Sequence, residues 1–477
     1  MNFSESYVTN AAGTSVGGNQ PDYLSSLGGN IYMHEHSRRV SLDVSYFGQV
    51  DFYAKGSIPT QINNNLQAVA NLDIIHDHVT LGTRAFAQPI VNSNVGIVTA
   101  GDRVVPDGFQ NSYGYSVSPD FRFELGNFLV SETTPSFSQA FFTNPPGTLN
   151  IPVIPGLFGA QDTTSRFLSE RISSGTDFDR LTWNLVGSVS ETARTQSLLS
   201  EKVGVANLRY AIDREFSLIV TGGYDAISNS IPLSQDLSGP VALAGFGLTF
   251  GQNFSLQVEG GSKYNSPSFL GNLSYNITPR ALLTASVDDT VQTPEGQLLN
   301  NLTNLTARPD GSLGSADVLG NGSPASLSTY SIQSQGGVGL DQTISRYQTA
   351  IVSFMEDFDR NHASVSAYAT RKTILSGVFF GPPKTDSWGA IVSLGRDLTP
   401  LLNGTISGSY GRDNQFGGDA ATYALQGRLS YSLSRQTGIY ASVQYLERSS
   451  SASLQSLSPF TGSLSDFRAT IGLSHQL

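Results

Sequence analysis

The chain has 477 residues, a net charge of −11 and 14% charged residues, against about 25% in ordinary globular domains. Hydrophobic residues make up 39% and aromatics 10%, with 49 glycines and no cysteine. That profile excludes disorder, disulfide staples and thiol chemistry, and the acidic balance argues against a nucleic-acid partner. It suits a β protein with one polar, weakly charged face and one apolar face of modest residues.

No run of 18 or more apolar residues is present, so a transmembrane helix is excluded. The start, MNFSESYVTN, has neither a basic segment nor an apolar one. A signal peptide is therefore either already removed or not used.

From the N-terminus onward, apolar residues recur at every second position. A first strand is expected over Phe3–Val8, and the next clear run is Val40 to Tyr46, continuing through Val50 and Phe52. Then Val79, Leu81, Thr83 and Ala85 alternate with Thr80, Gly82 and Arg84. Leu181, Trp183, Leu185 and Val189 follow, and after them Phe216, Leu218, Val220 and Tyr224. Further on come Phe269, Leu273, Tyr275 and Ile277, then Trp388, Ala390, Val392 and Leu394, then Leu402, Ile406 and Tyr410. Leu429, Tyr431 and Leu433 pair across a polar turn with Ile439, Ala441, Val443 and Tyr445. The last run is Phe467, Ala469, Ile471, Leu473 and Leu477. Many runs span about 9–14 residues, longer than soluble strands and long enough to cross a bilayer at a tilt.

The links alternate in length. Short turns are expected near residues 36–38, 75–77, 125–127, 212–214, 250–252, 278–280, 358–360, 398–400 and 434–436. The longest links are about 90–110, 143–162 and 294–342. Short turns at one rim and long loops at the other describe an outer-membrane barrel. The expected fold is all-β: one transmembrane antiparallel β-barrel domain over 1–477, of about 22 strands within a range of 18–24. Both termini then fall on the short-turn, periplasmic side. Because strand-like sequence begins within the first ten residues, no separate plug domain is expected. Segment 294–342, rich in Gly, Ser, Asn and Leu, is either a surface loop or a constriction folded into the bore.

The outward face would be wetted by outer-membrane lipid, and the polar alternates would line a lumen. Lumen-lining candidates are Asp43, Asp51, Asp288, Arg84, Gln426, Arg428 and Arg468. They are either scattered solvated charges or rings that sort a solute. The aromatics Tyr46, Phe52, Trp183, Tyr224, Tyr275, Trp388, Tyr410, Tyr431 and Tyr445 suit interface girdles. His34-Glu35-His36 and His76-Asp77-His78 sit at short turns of adjacent hairpins. They are either polar rim turns or weak candidates for a shared metal. No GxSxG, P-loop, cysteine pair or HExxH occurs, so neither an enzyme nor a cofactor is expected.

Several phrases carry a resemblance: Ser4 to Asn10, Val40 to Tyr46, Gly175 to Trp183, Val220 to Tyr224, and Phe269 to Arg280. Together they resemble the outer-membrane proteins associated with the PEP-CTERM and exopolysaccharide systems of Gram-negative bacteria. The resemblance implies export or display of a polysaccharide or of surface proteins, and supplies no catalytic residue. The expected function is an outer-membrane channel for an exopolysaccharide, served by a periplasmic export partner. Its alternatives are a diffusion porin for small solutes and a non-conducting surface scaffold or anchor.

Overall fold

Alternation of this kind has one consequence when neighbouring strands pair antiparallel: every apolar residue lands on one side of the sheet. In the computed structural model the sheet closes on itself. It describes all residues except 11–20, 57–59, 92–108, 144–161, 195–197, 231–236, 293–304, 308–312, 316–343, 377–382, 415–418, 452–462 and 476–477. Twenty-two strands form a single antiparallel sheet in chain order. They run from β1 (Asn2–Val8), β2 (Asp22–His36), β3 (Val40–Tyr53) and β4 (Gln61–Ile75) through β15 (Ala281–Gln292) and β18 (Ile344–Phe358) to β24 (Leu464–His475). A separate small hairpin, β16 (Leu305–Ala307) and β17 (Leu313–Ser315), belongs to the link between β15 and β18.

Closure rests on β1, which pairs with β2 on one side and β24 on the other. Ser6 and Thr470 share a buried hydroxyl hydrogen bond of 2.8 Å across this seam, and the His475 amide donates to the Met1 carbonyl. A closed sheet leaves few backbone groups unpaired, which lipid requires.

The two faces differ in kind. Buried side chains on the inner face are mainly polar, among them Ser4, Ser6, Ser26, Asp43, Asp51, Ser353, Ser366 and Thr470. The outer face shows Leu27, Val220, Phe269, Val392, Leu425, Val443 and Ile471 to the surroundings. Aromatic clusters mark both rims of that face. Trp388, Tyr410 and Tyr423 meet edge-on and tilted across three strands near the long-loop end, with ring centroids 5.2 and 5.0 Å apart. Phe250, Phe254 and Tyr275 do the same near the short turns, at 5.5 and 5.6 Å. An apolar band between aromatic girdles on a closed antiparallel sheet is the surface of an outer-membrane barrel. That is the location of this chain.

All nine expected short turns are present, at one rim. Four of them use a left-handed residue, Asp77, Gly126, Gly251 or Asp359, to reverse the chain tightly. A tenth link of this rim, 175–180, is docked on its neighbour: the Gly175 amide donates to the Phe128 carbonyl at 2.8 Å and the Asp177 amide to the Asn127 carbonyl at 3.0 Å. The expected long links 90–110, 143–162 and 294–342 lie largely outside the described residues.

The exclusion of a separate plug domain is corrected. It rested on strand-like sequence within the first ten residues. Those residues do form β1, but a wall strand reports on the wall alone and not on what else the protein carries.

The in-and-out assignment has a direct check. Val392 faces out at mid-strand in β20 (Lys384–Thr399), and Ser393 faces in. Val392→Arg is expected to destabilise the barrel by about 2–4 kcal/mol in lipid vesicles, and Ser393→Arg by much less. Urea unfolding of both variants measures this, and equal losses would contradict the lipid-facing assignment.

Candidate functional site

The bore is the site to be explained, and the ladder registers place the side chains that line it. The seven expected lining residues do not form one ring. Asp43 and Asp51 lie on the inner face of β3. Asp43 contacts the His34 ring opposite it on β2. Asp51 accepts from Ser26 Oγ and from Gln49 Nε2, both at 2.6 Å. Arg84, on β5 (Val79–Val91), is half-buried, and its Nη1 reaches Ser118 Oγ at 3.5 Å. Asp288 stands opposite Thr349 on the other side of the barrel.

The remaining three lie together. Gln426 on β22 (Ala420–Ser432) is opposite Gln444 on β23 (Thr437–Ser450), which is opposite Arg468 on β24. Arg468 Nη2 donates to Ser6 Oγ at 3.2 Å. The Arg428 guanidinium stacks 4.3 Å from the Tyr440 ring centroid, a cation–π contact. The Tyr440 ring in turn lies over Gly472, where a Cβ would come within 2.4 Å of the ring. Only glycine allows that ring to lie flat.

The wall made by β2, β3 and β4 differs from the rest. Its inward positions include Asn30, Ser45, Gln49, Asn65 and Gln67, with Tyr32 and Phe47 between them. Amide and hydroxyl groups there outnumber charges, and each amide can both donate and accept.

The hairpin β16–β17 lies against this wall, beside β3 and β4. Its own strand neighbours, β15 and β18, are on the opposite side. From β15 to β4 is eleven strands either way round the wall. At about 4.8 Å per strand, and more once the strands tilt, that path exceeds about 53 Å. The twelve residues between Gln292 and Leu305 reach at most about 47 Å. The hairpin therefore meets β3 and β4 across the bore and not around the outside. Of segment 294–342, only these two strands are among the described residues.

A second cluster was not foreseen. The hairpin of β13 (Phe254–Lys263) and β14 (Ser266–Thr278) is short, turning at Tyr264 and Asn265, both with positive φ. The β14–β15 ladder begins only at Gly271 and Val287, so the end of β15 lacks a β14 partner. Side chains fill the gap. Arg346 on β18 holds Asp289 on β15 through two contacts, one of them Nε to Oδ1 at 2.7 Å, and Nη2 donates to the Pro267 carbonyl at 2.9 Å. Beside them Ile227, Tyr264, Val291 and Ile344 pack into an apolar cluster. The Tyr264 hydroxyl donates to Asp225, which also faces Lys263 Nζ at 3.4 Å. The period-2 pattern could have placed Asp225 inward. It carried no sign of the Asp289–Arg346 pair, whose partners are 57 positions apart.

The histidine motifs do not make a ligand set. His34 and His76 each contact a carboxylate, Asp43 and Asp73. Among the described residues no group of three ligand side chains is placed to hold a metal. At the periplasmic turn the His76 pKa is raised, first by its hydrogen bond from Nδ1 to Asp73 and then by the charge of Asp77. The protonated ring thus adds stability below the ordinary histidine pKa, lost as pH rises through the folded value. NMR titration is expected to show His76 titrating above the ordinary histidine range, and Asp73→Asn lowering it. An unchanged midpoint in that variant would contradict the assignment.

No protein-family model and no curated protein matches this chain. Solved structures similar to it include the siderophore receptor PiuA from Acinetobacter baumannii, at 8% identity and a TM-score of 0.47. The ferric-catecholate import receptor Fiu from E. coli K12 matches at 10% identity and a TM-score of 0.45, and the copper transporter OprC at 9% and 0.40. Each match covers 99% of this chain, and 81%, 81% and 80% of PiuA, Fiu and OprC respectively. All three chains extend beyond the matched region.

Proposed function

We propose that this barrel is a channel, without catalytic role, that passes a neutral or weakly charged polysaccharide from periplasm to surface. The observation that carries the reading is the inner wall of β2–β4. Its amides and hydroxyls, Asn30, Ser45, Gln49, Asn65 and Gln67, can exchange hydrogen bonds with sugar hydroxyls one for another. Tyr32 and Phe47 offer rings for stacking. Asp43 and Asp51 are engaged by His34 and by Ser26 and Gln49, which softens their charge toward a passing polymer. The resemblance to the outer-membrane proteins of PEP-CTERM and exopolysaccharide systems supports the same solute class, and export of that kind would call for a periplasmic partner.

Diffusion of small solutes is the second reading, and the hairpin β16–β17 favours it, because it lies beside β3 and β4 of this wall. Deleting the gene separates the two. Loss of secreted polysaccharide, with intracellular polymer retained, is expected of the export channel. Unchanged secretion, together with swelling of protein-loaded liposomes in small sugars, would replace export by diffusion.

A further inference from the structure

The lipid-facing surface carries a hydrogen-bonded carboxyl group at membrane depth. Glu170 lies on β8 (Thr163–Ser174), opposite Thr133 on β7 (Leu129–Thr143) and Gly187 on β9 (Leu181–Arg194). Leu168 and Ile172, on the same face of β8, stand opposite the exposed Val189 and Leu185, so Glu170 points outward with them. Ser131 Oγ donates to Glu170 Oε1 at 2.5 Å, and Thr133 Oγ1 donates to Oε2. The group is four residues from the end of β8 at Ser174, about 10 Å up a strand tilted by about 40° in an apolar band about 25 Å tall. Hydrocarbon offers it no partner, and ionisable groups at such depth ordinarily face protein or water.

The surface beside it is bare. Gly187 and Gly204, on β10 (Leu198–Ala211), stand opposite each other on the outer face, and Gly222, on β11 (Phe216–Asn229), is opposite the next outward residue of β10, Ala206. A Cβ at any of the three would meet nothing within 4 Å, and none has a positive φ. The packing of the barrel itself therefore does not require glycine there. Glycine weakens a strand, and its usual use is to let another backbone come close. On the other flank the ladder between β6 (Phe109–Leu125) and β7 is in register up to Val117–Phe137 and again from Phe121–Thr133. That register sets Pro119 opposite Pro135, and neither has an amide hydrogen to give across the seam.

A second outward carboxylate shows the contrast. Glu5 on β1 accepts from Ser25 Oγ at 3.0 Å. Around it Phe3, Tyr7, Tyr23, Leu27 and Ile471 are all large and exposed, and such side chains hold a neighbouring backbone off.

We propose that the outer face of β7–β10 around Glu170 is the interface of a twofold homodimer within the membrane. Lipid tails are as apolar as the barrel wall, so apolar contact alone gives no drive to associate, and close packing with hydrogen bonds must supply it. The glycines allow the packing, and Ser131, Thr133 and Glu170 supply donors and acceptors together. A second copy is the occupant these groups fit. A twofold axis along the membrane normal brings the three groups of one copy to the same three of the other at identical depth. Such an interface is self-complementary and closes at two. The proposal is independent of the solute the barrel carries.

The chain has no cysteine, so a single introduced one reports without background. In the full chain in lipid vesicles, Leu168→Cys, beside Glu170 on the outer face, is expected to form a disulfide-linked dimer on oxidation. Val392→Cys, on the opposite side of the barrel, is expected not to. Sedimentation equilibrium in density-matched micelles gives the dimer dissociation constant. Glu170→Leu is expected to weaken the dimer by about tenfold or more, and Gly204→Leu, which fills the bare surface, by about tenfold or more as well. Glu5→Leu is expected to stay within about twofold. Retained heat-modifiability verifies that each variant folds. A monomer at every protein-to-lipid ratio, equal cross-linking at Leu168→Cys and Val392→Cys, or a dimer that Glu170→Leu or Gly204→Leu leaves intact would overturn the proposal. So would capture of a different protein, and no second copy, by a thiol-linked photo-crosslinker on Leu168→Cys in native outer membranes.

Discussion

Replacing residues 294–342 with a short linker is expected to raise single-channel conductance by roughly two- to fivefold, since a barrel of this strand number is open unless something fills it. The reason is positional. The hairpin β16–β17 belongs to the link between β15 and β18 but lies beside β3 and β4, eleven strands away. A hairpin on the far side of the barrel from its own neighbouring strands lies where it can narrow the path that ions would use. Planar-bilayer recording of the intact and shortened proteins measures the effect, with heat-modifiability on gels to verify that both barrels close. Equal conductance would mean that the hairpin leaves the narrowest part of the bore untouched.

The second large effect is thermodynamic. Asp289→Ala is expected to destabilise the barrel by about 3–5 kcal/mol, because it leaves the Arg346 guanidinium buried without its carboxylate. Side chains of that pair are only 9% and 1% exposed. The pair occupies the gap where β14 and β15 no longer share a ladder, so on the β14 side no backbone bonds offset the loss. Replacing both partners by apolar residues, Asp289→Leu with Arg346→Met, is expected to recover much of the loss, since no charge is then stranded. Urea unfolding in vesicles decides it. A loss under about 1 kcal/mol for Asp289→Ala would show that water reaches the guanidinium.

Much of this protein was legible one strand at a time. Alternation assigned Val392 outward and Gln426 and Arg428 inward, and it did so because successive side chains of a strand point to opposite faces. Turn chemistry was nearly as plain at Asp77, Gly126, Gly251 and Asp359. Two turns escaped. The link 175–180 is tied to the neighbouring turn at Asn127 and Phe128, a contact between segments some fifty positions apart. The two-residue turn at Tyr264 and Asn265 falls on the rim where long loops were expected, and its residues are not the Asn-Gly or Asp-Gly that usually announce such a reversal. For the candidate site, alternation could propose a face for each position, but not its company. Arg428 meets Tyr440 and Arg468 meets Ser6 only once the strands are side by side.

By itself, then, the amino-acid order determined which residues meet lipid and which meet the bore, since that division depends only on the pleat of each strand. Only the closed structure decided which of those residues meet one another. Register, stagger and closure bring together Ser6 with Thr470, Asp289 with Arg346, and the hairpin β16–β17 with β3 and β4. Pairing is a relation between distant segments, set by the shear of the whole barrel, and no local pattern encodes it.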